Sequence, residues 1–206
     1  VDKVVVATDS EEIAVVVRES GGHVEMTSPD IKTGSDRVAE VAKRYPDMDI
    51  IINLQGDEPF IKPETLEKLV EPYFAENEDV ANAVNMTTIA FPLNIETDYD
   101  NPAFVKVITD LNGDAIYFSR SGIPNFRDKT VKDLPVYHHM GLYSFRKETL
   151  LKFTTLPQTK LEQVEALEQL RAIENGYKIR VCLTDSKTLE INTKEELELA
   201  QSFDTA

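Results

Sequence analysis

The stretch Ile50-Ile51-Ile52-Asn53-Leu54-Gln55-Gly56-Asp57-Glu58-Pro59 decides the fold. A short apolar run that ends in Gly and acidic residues reads as a buried strand whose carboxyl end opens into a loop. Open α/β sheets place their ligands at that end. Asp57 and Glu58 are neighbouring carboxylates, which repel each other unless a cation lies close. Asp57 is therefore a candidate ligand for a hard divalent ion, with Mg²⁺ shared with a nucleotide phosphate as the leading case. The competing reading makes Asp57 and Glu58 caps of the helix that starts near Pro63-Glu64.

Upstream of this strand the pattern alternates. Val4 to Ala7 is an apolar strand, and Asp9 or Ser10 caps a helix that runs to Ser20 and stops at Gly21-Gly22. Val24 to Met26 is a second short strand, and Ser35-Asp36-Arg37 opens a helix ending near Tyr45-Pro46. Downstream, a helix is expected from Pro63 to about Ala75. Strands and helices joined by short loops are the mark of βαβ units and a parallel sheet.

The second half is richer in strands. Asn82 to Pro92 and Phe104 to Asp110 read as strands, and Asn112-Gly113 as the turn of a hairpin into Ala115 to Phe118. Val136 to Phe145 alternates, with Tyr137, His139, Gly141 and Tyr143 on one face and His138, Met140 and Leu142 on the other. One helix is expected from Leu161 to Glu174, ending at Asn175-Gly176, followed by a strand through Tyr177, Ile179, Val181 and Leu183. Thr193 and Glu196 form the capping box of a last helix to Ser202.

Composition narrows the function. The chain has 206 residues, enough for one domain with a substantial core, and a formal charge of −15. That charge disfavours nucleic acid and anionic membrane surfaces, because nothing would drive counterion release. No apolar stretch approaches the roughly 20 residues that cross a bilayer, and Val1-Asp2-Lys3-Val4 lacks a signal-peptide layout. The lone Cys182 forms no intramolecular disulfide and reads as a packing residue, so a reducing cytoplasm is expected.

An ordered set of motifs then resembles the 3-deoxy-manno-octulosonate (Kdo) cytidylyltransferases, or CMP-Kdo synthetases, across essentially the whole chain. The motifs are Val6-Ala7-Thr8-Asp9, Thr33-Gly34-Ser35-Asp36-Arg37, Asn53 through Pro59, Tyr117-Phe118-Ser119-Arg120, His139-Met140-Gly141-Leu142-Tyr143, and Leu161-Glu162-Gln163 through Leu167-Glu168-Gln169-Leu170-Arg171. The resemblance implies cytidylyl transfer from CTP to the anomeric hydroxyl of an eight-carbon sugar acid, releasing pyrophosphate, as a step of lipopolysaccharide biosynthesis. The fold it implies is α/β, a single domain over residues 1–206 of the nucleotide-diphospho-sugar transferase type. Its sheet is mixed and mostly parallel, flanked by helices, with a smaller sheet region that carries a homodimer interface. The aromatic-rich segment from Tyr117 to Phe145 fits such an interface.

The same resemblance assigns roles. Gly34, Ser35 and Arg37, at a helix start, are expected at the cytosine, and Gln55 at the ribose. Arg120 suits bidentate recognition of the sugar-acid carboxylate. His139, Tyr143, Glu168 and Gln169 are expected on the sugar, with Asp57 and, more weakly, Asn192 holding Mg²⁺. Each has a plainer alternative: an ordinary helix cap with Arg37 solvated, a polar strand-end Gln55, an interface ion pair for Arg120, a structural His139 and a surface Glu168. No general base stands out.

Two departures from the family pattern bear on activity. The family carries a strand and a loop rich in Arg, Ser and Lys ahead of the point where this sequence begins, and an Asp where Asn192 stands here. The chain therefore reads as N-terminally incomplete. Alone, it is expected to fold poorly or with a rearranged sheet and to lack the cationic triphosphate loop. Transfer to the 8-amino analogue of the sugar acid and a non-catalytic sugar-acid-binding or dimer-forming homologue are the alternatives.

Overall fold

The structure, a computed structural model, describes residues 1–128, 134–186, 191 and 193–201. Strand β1 (Val6–Thr8) leads into helix α1 (Glu11–Glu19), whose first turn is held by the Ser10 hydroxyl accepting from the Ile13 N–H at 3.4 Å. Glu11 and Glu12 at its start and Arg18 at its end complement the helix dipole. Strand β2 (Val24–Met26) returns parallel to β1. Thr33 caps α2 (Gly34–Ala42), its hydroxyl accepting from the Asp36 N–H at 3.1 Å. Strand β3 (Ile50–Asn53) follows, then α3 (Pro63–Val70), which begins on a proline and tightens into a 3₁₀ turn over Glu71–Phe74.

The remaining elements are α4 (Glu78–Ala83), β4 (Met86–Pro92), β5 (Lys106–Thr109), β6 (Ala115–Ser119), β7 (Val136–Arg146), α5 (Lys147–Phe153), α6 (Lys160–Glu165), α7 (Gln169–Glu174), β8 (Ile179–Leu183) and α8 (Lys194–Gln201). The main sheet has the order β6-β5-β7-β4-β8, with β3 also paired to β7. β1 and β2 form a two-stranded sheet of their own, and α2 packs on both β1 and β3.

The fold class matches the expectation of an α/β sheet flanked by helices. The sheet is mixed: β3, β4, β5 and β8 run one way, and β7 runs antiparallel to β3, β4 and β5. β6 also runs antiparallel to β5, so four of the strands share a direction while β4–β8 is the one parallel ladder among the described pairs of this sheet. Several element boundaries also differ, three of them by enough to matter for the site. Asn82 lies in α4, not in a strand, and β4 starts only at Met86. β5 starts at Lys106 rather than Phe104. The helix expected from Leu161 to Glu174 is two helices, separated at Ala166, whose φ of 53° places it in the left-handed region.

The alternation along β7 holds. Tyr143 and Phe145 join Phe118, Val107, Phe153 and Leu170 in one core cluster. Met140 and Leu142 join Ile89, Phe91, Leu69 and Cys182 in the other. Cys182 is thus a packing residue, and burial pushes its thiol up to about 12.

Candidate active site

β7 is the longest strand, and its edge facing β3 and β5 is shared between them. β3 covers it from Tyr143 to Arg146 and β5 from Val136 to His138. Between the carboxyl end of β3 at Asn53 and the amino end of β5 at Lys106 the sheet is split, and the loop after β3 leaves there. Ser35, Gln55, His139, Tyr143 and Glu168 are predicted site residues that contacts connect to β3 or β7 beside this split.

The N-terminus of α2 meets the carboxyl end of β3 through short polar contacts. Ser35, almost fully buried, donates through Oγ to Glu168 Oε2 at 2.7 Å. Asn53 Nδ2 donates to Ser35 Oγ at 3.5 Å, and Gln55 Nε2 to Asn53 Oδ1 at 3.1 Å. Gly34 lets this approach be close: a Cβ there would lie 3.0 Å from Gln55 Nε2, and the Gln55 side chain would have to give way. Arg37 turns the other way. Its guanidinium pairs with Asp9 at 3.1 Å and makes a short bond to the Thr27 hydroxyl, tying the ends of β1 and β2 to α2.

The break between α6 and α7 delivers Glu168 and Gln169. Ala166 reverses the chain, and a buried ion pair fixes the reversal: Arg171 donates through Nε to Glu162 Oε2 at 2.9 Å and through Nη2 to Oε1 at 2.5 Å. Burial works to raise the Glu162 carboxyl, but the bonds from Arg171 and from the Thr159 N–H outweigh it and hold it below the usual carboxylate range. Arg171 also lies 3.5 Å from Glu168 Oε1. Burial raises the Glu168 carboxyl, with Ser35 and Arg171 opposing.

His139 and Tyr143 project from β7 into the same region, their rings 5.4 Å apart. His139 Nε2 contacts the Thr88 hydroxyl at 3.0 Å and its ring meets Phe118 edge-on. Burial, reinforced by neighbouring His138, lowers its pKa to about 3, so it is a neutral hydrogen-bonding group. Burial also pushes the Tyr143 phenol well up, assisted by the Glu168 carboxylate, which places Tyr143 and Glu168 within electrostatic reach. His138 instead packs against the Phe91 and Phe104 rings.

Arg120 follows the end of β6 and sits beside the same helix break. Its N–H donates to Glu165 Oε2 at 3.0 Å, its Nε to the Glu165 carbonyl at 3.0 Å and its Nη1 to the Pro102 carbonyl at 3.2 Å. Asp57 lies in the loop after Gln55. Its carbonyl accepts from the Ile191 N–H at 2.9 Å, which brings the chain just before Asn192 alongside it. Asn192 itself lies outside the described residues.

Asp57 Oδ1, Glu168 Oε1 and Gln169 Nε2 are buried without a hydrogen bond among the described residues. Thr65 Oγ1 and Thr159 Oγ1 are buried in the same way, and Glu168 Oε1 has Arg171 as an ion-pair partner at 3.5 Å, so Asp57 Oδ1 and Gln169 Nε2 are the atoms most open to a polar ligand. Sequence reasoning missed Glu162, Glu165 and Arg171, which hold Glu168 and Arg120. Arg171 lay inside a quoted motif, but a helix read as continuous gave no reason for it to turn inward.

Comparison with known proteins bears on the family and the fold. Residues 1–179 match the family described as Cytidylyltransferase. The chain is 53% identical over 199 residues to a 3-deoxy-manno-octulosonate cytidylyltransferase of Acaryochloris marina, covering 97% of this chain and 78% of that protein. It is 48% identical to the protein of the same name from Chlorobaculum tepidum, covering 95% of this chain and 77% of the relative. Among solved structures it superposes on CMP:2-keto-3-deoxy-manno-octonic acid synthetase complexed with CTP, with a TM-score of 0.85, 33% identity, and coverage of 98% of this chain and 82% of the other. A 4-diphosphocytidyl-2C-methyl-D-erythritol synthase from Anaerococcus prevotii shares the fold at a TM-score of 0.61 and 15% identity, covering 98% of this chain and 81% of that one.

Proposed function

Because the chain belongs to the family of 3-deoxy-manno-octulosonate cytidylyltransferases, we propose that it transfers the cytidylyl group of CTP to the anomeric hydroxyl of 3-deoxy-manno-octulosonate and releases pyrophosphate. The observation that carries this reading is the junction of α2, β3 and the α6–α7 break, where Ser35 binds Glu168 Oε2 and meets Asn53, and Asn53 meets Gln55. The likeness to a synthetase complexed with CTP supports the nucleotide half of the reaction.

In this reading Gly34, Ser35 and Gln55 form the nucleotide side, while Arg37, held by Asp9 and Thr27, braces the start of α2 from behind. The backbone at the start of α2 approaches the base, and Gln55 reaches the ribose. Arg120 receives the sugar-acid carboxylate, its Nε and Nη1 already oriented by the Glu165 and Pro102 carbonyls. His139 and Tyr143 meet sugar hydroxyls as neutral hydrogen-bonding groups. Glu168 accepts from a sugar hydroxyl through Oε1 while Ser35 holds Oε2, and Gln169 donates through Nε2.

Mg²⁺ fits the donors present. Asp57 offers a buried carboxylate oxygen without a hydrogen-bond donor among the described residues, and this ion commonly needs only one or two carboxylates beside substrate phosphates and water. When bound, it lowers the pKa of an attacking hydroxyl and offsets charge on the α-phosphate. Asn192 is the second proposed ligand, through its amide oxygen.

We place the reaction in the cytoplasm, as a step of lipopolysaccharide biosynthesis, with a homodimer formed through the region from Tyr117 to Phe145. Phe118, Tyr143 and Phe145 of that region are taken up by the core, and the surface support for a dimer is Ile116, exposed beside the region on the sheet-edge strand β6. The formal charge of −15 argues against nucleic acid as a partner. The test is pyrophosphate release by the full-length protein from CTP, Mg²⁺ and the sugar acid. Release that needs all three supports the proposal, and none with either the sugar acid or its 8-amino analogue refutes it.

A further inference from the structure

Lys106 is an ionisable side chain among the large, fully buried ones of the described residues, together with Phe118, Phe145 and Phe153. Its ammonium donates to the carbonyl oxygens of Asn101 at 2.8 Å, Phe104 at 2.6 Å and Arg120 at 2.6 Å. An ammonium has three N–H donors, so all are used. Burial lowers its pKa, with the Asp100 and Glu165 carboxylates opposing. Three carbonyl oxygens that converge in a dry interior repel one another unless a donor-rich cation sits between them.

The segments that Lys106 joins are the ones that aim Arg120. One bond holds the carbonyl of Arg120 itself. The other two fix residues 101 to 104, and Pro102 between them accepts from Arg120 Nη1 at 3.2 Å. The adjoining Val105 carbonyl accepts from the His139 N–H at 2.9 Å, so the same segment is tied to the strand that carries His139. Tyr99 braces the loop after Arg120: its hydroxyl donates to the Pro124 carbonyl at 2.5 Å, and its ring lies where only Gly122 leaves room.

We propose that Lys106 is a positioning residue for the sugar-acid side of the site, acting through Arg120 and the 101–104 segment. It touches no reacting atom. Its ammonium holds the backbone of Arg120 and the carbonyl beside the guanidinium at fixed separation, so that Arg120 meets a carboxylate already oriented. The inference rests on the proposed reaction and on Arg120 as its carboxylate-binding group.

The test uses the full-length enzyme with Lys106→Met, which keeps the chain length and removes charge and donors, and Lys106→Gln, which keeps two donors. Thermal unfolding is measured first, then KM for CTP and for 3-deoxy-manno-octulosonate separately. The expected result is a rise of about tenfold or more in the sugar-acid KM for Lys106→Met and a smaller rise for Lys106→Gln, with the CTP KM within about twofold of wild type in both. An unchanged sugar-acid KM, or both KM values rising together, overturns the assignment. Failure of both variants to fold gives Lys106 to the fold alone and overturns it equally. Absence of turnover in the wild-type enzyme instead refutes the reaction itself, which keeps the two failures distinct.

Discussion

Ser35 and Glu168 stand 133 positions apart in the chain, yet a 2.7 Å hydrogen bond joins them across the split beside β7. The bond links the start of α2 to the break between α6 and α7. It leaves Glu168 with Oε2 hydrogen-bonded and Oε1 buried, 3.5 Å from Arg171. Ser35→Ala should therefore loosen Glu168 and cost about 1–3 kcal/mol, the usual penalty of stripping a buried carboxylate of its donor. Urea unfolding checks the stability, and the sugar-acid KM should rise more than the CTP KM.

Glu168→Gln should show the opposite sign in stability. The folded Glu168 carboxyl titrates above its ordinary value because burial opposes its charge. A raised carboxyl contributes stability below its unfolded pKa and loses it as pH rises through the folded one. The Gln variant escapes that loss, so it should match wild type in acid and exceed it at neutral pH, while turning over more slowly. Thermal melts from pH 4 to pH 8 on both proteins test this.

The buried Arg171–Glu162 pair should be costly to break on one side. Arg171→Met leaves Glu162 charged and unpaired in the interior, at about 3–5 kcal/mol. Because the folded Glu162 carboxyl is held low, its contribution is present at neutral pH and lost as pH falls through that lowered value. Adding Glu162→Gln should recover much of the loss at neutral pH. Chemical denaturation of the single and double variants reads this directly.

That pair also explains why the helix break was not legible in the sequence. Leu161, Val164, Leu167, Leu170 and Ile173 recur at helical spacing, which argues for one continuous helix. In the fold Val164 is 83% exposed while Leu170 is fully buried, so the two do not share a face. A left-handed Ala166 and an ion pair formed across the turn override the local pattern, and neither leaves a periodic signal. Local devices were legible where the chemistry is short-range: the Ser10 cap, the Asn112-Gly113 hairpin and the Thr193–Glu196 capping box all form. The loop after β3 was legible for the same reason, since Gly and paired acids follow an apolar run. Lys106 was not, because a lysine in an alternating strand reads as solvent-facing until its carbonyl partners are known.

His139 should resist protonation. Its pKa is lowered from 6.5 to about 3 by burial, so the folded state holds it neutral while the unfolded chain takes up a proton. The stability it contributes is complete above pH 6.5 and drains away as pH falls toward about 3. Its ring proton resonance should stay constant between pH 8 and pH 5. His139→Gln should flatten the acid slope of stability by about one proton.

The most direct test of the central claim is pyrophosphate release by full-length Asp57→Asn, with CTP and the sugar acid, across a Mg²⁺ titration. The account makes Asp57 the charged metal ligand at the carboxyl end of β3, so the variant should lose most activity at low Mg²⁺ and recover part of it as Mg²⁺ rises. Turnover equal to wild type across the whole titration would contradict it, and would return Asp57 to the role of a loop cap.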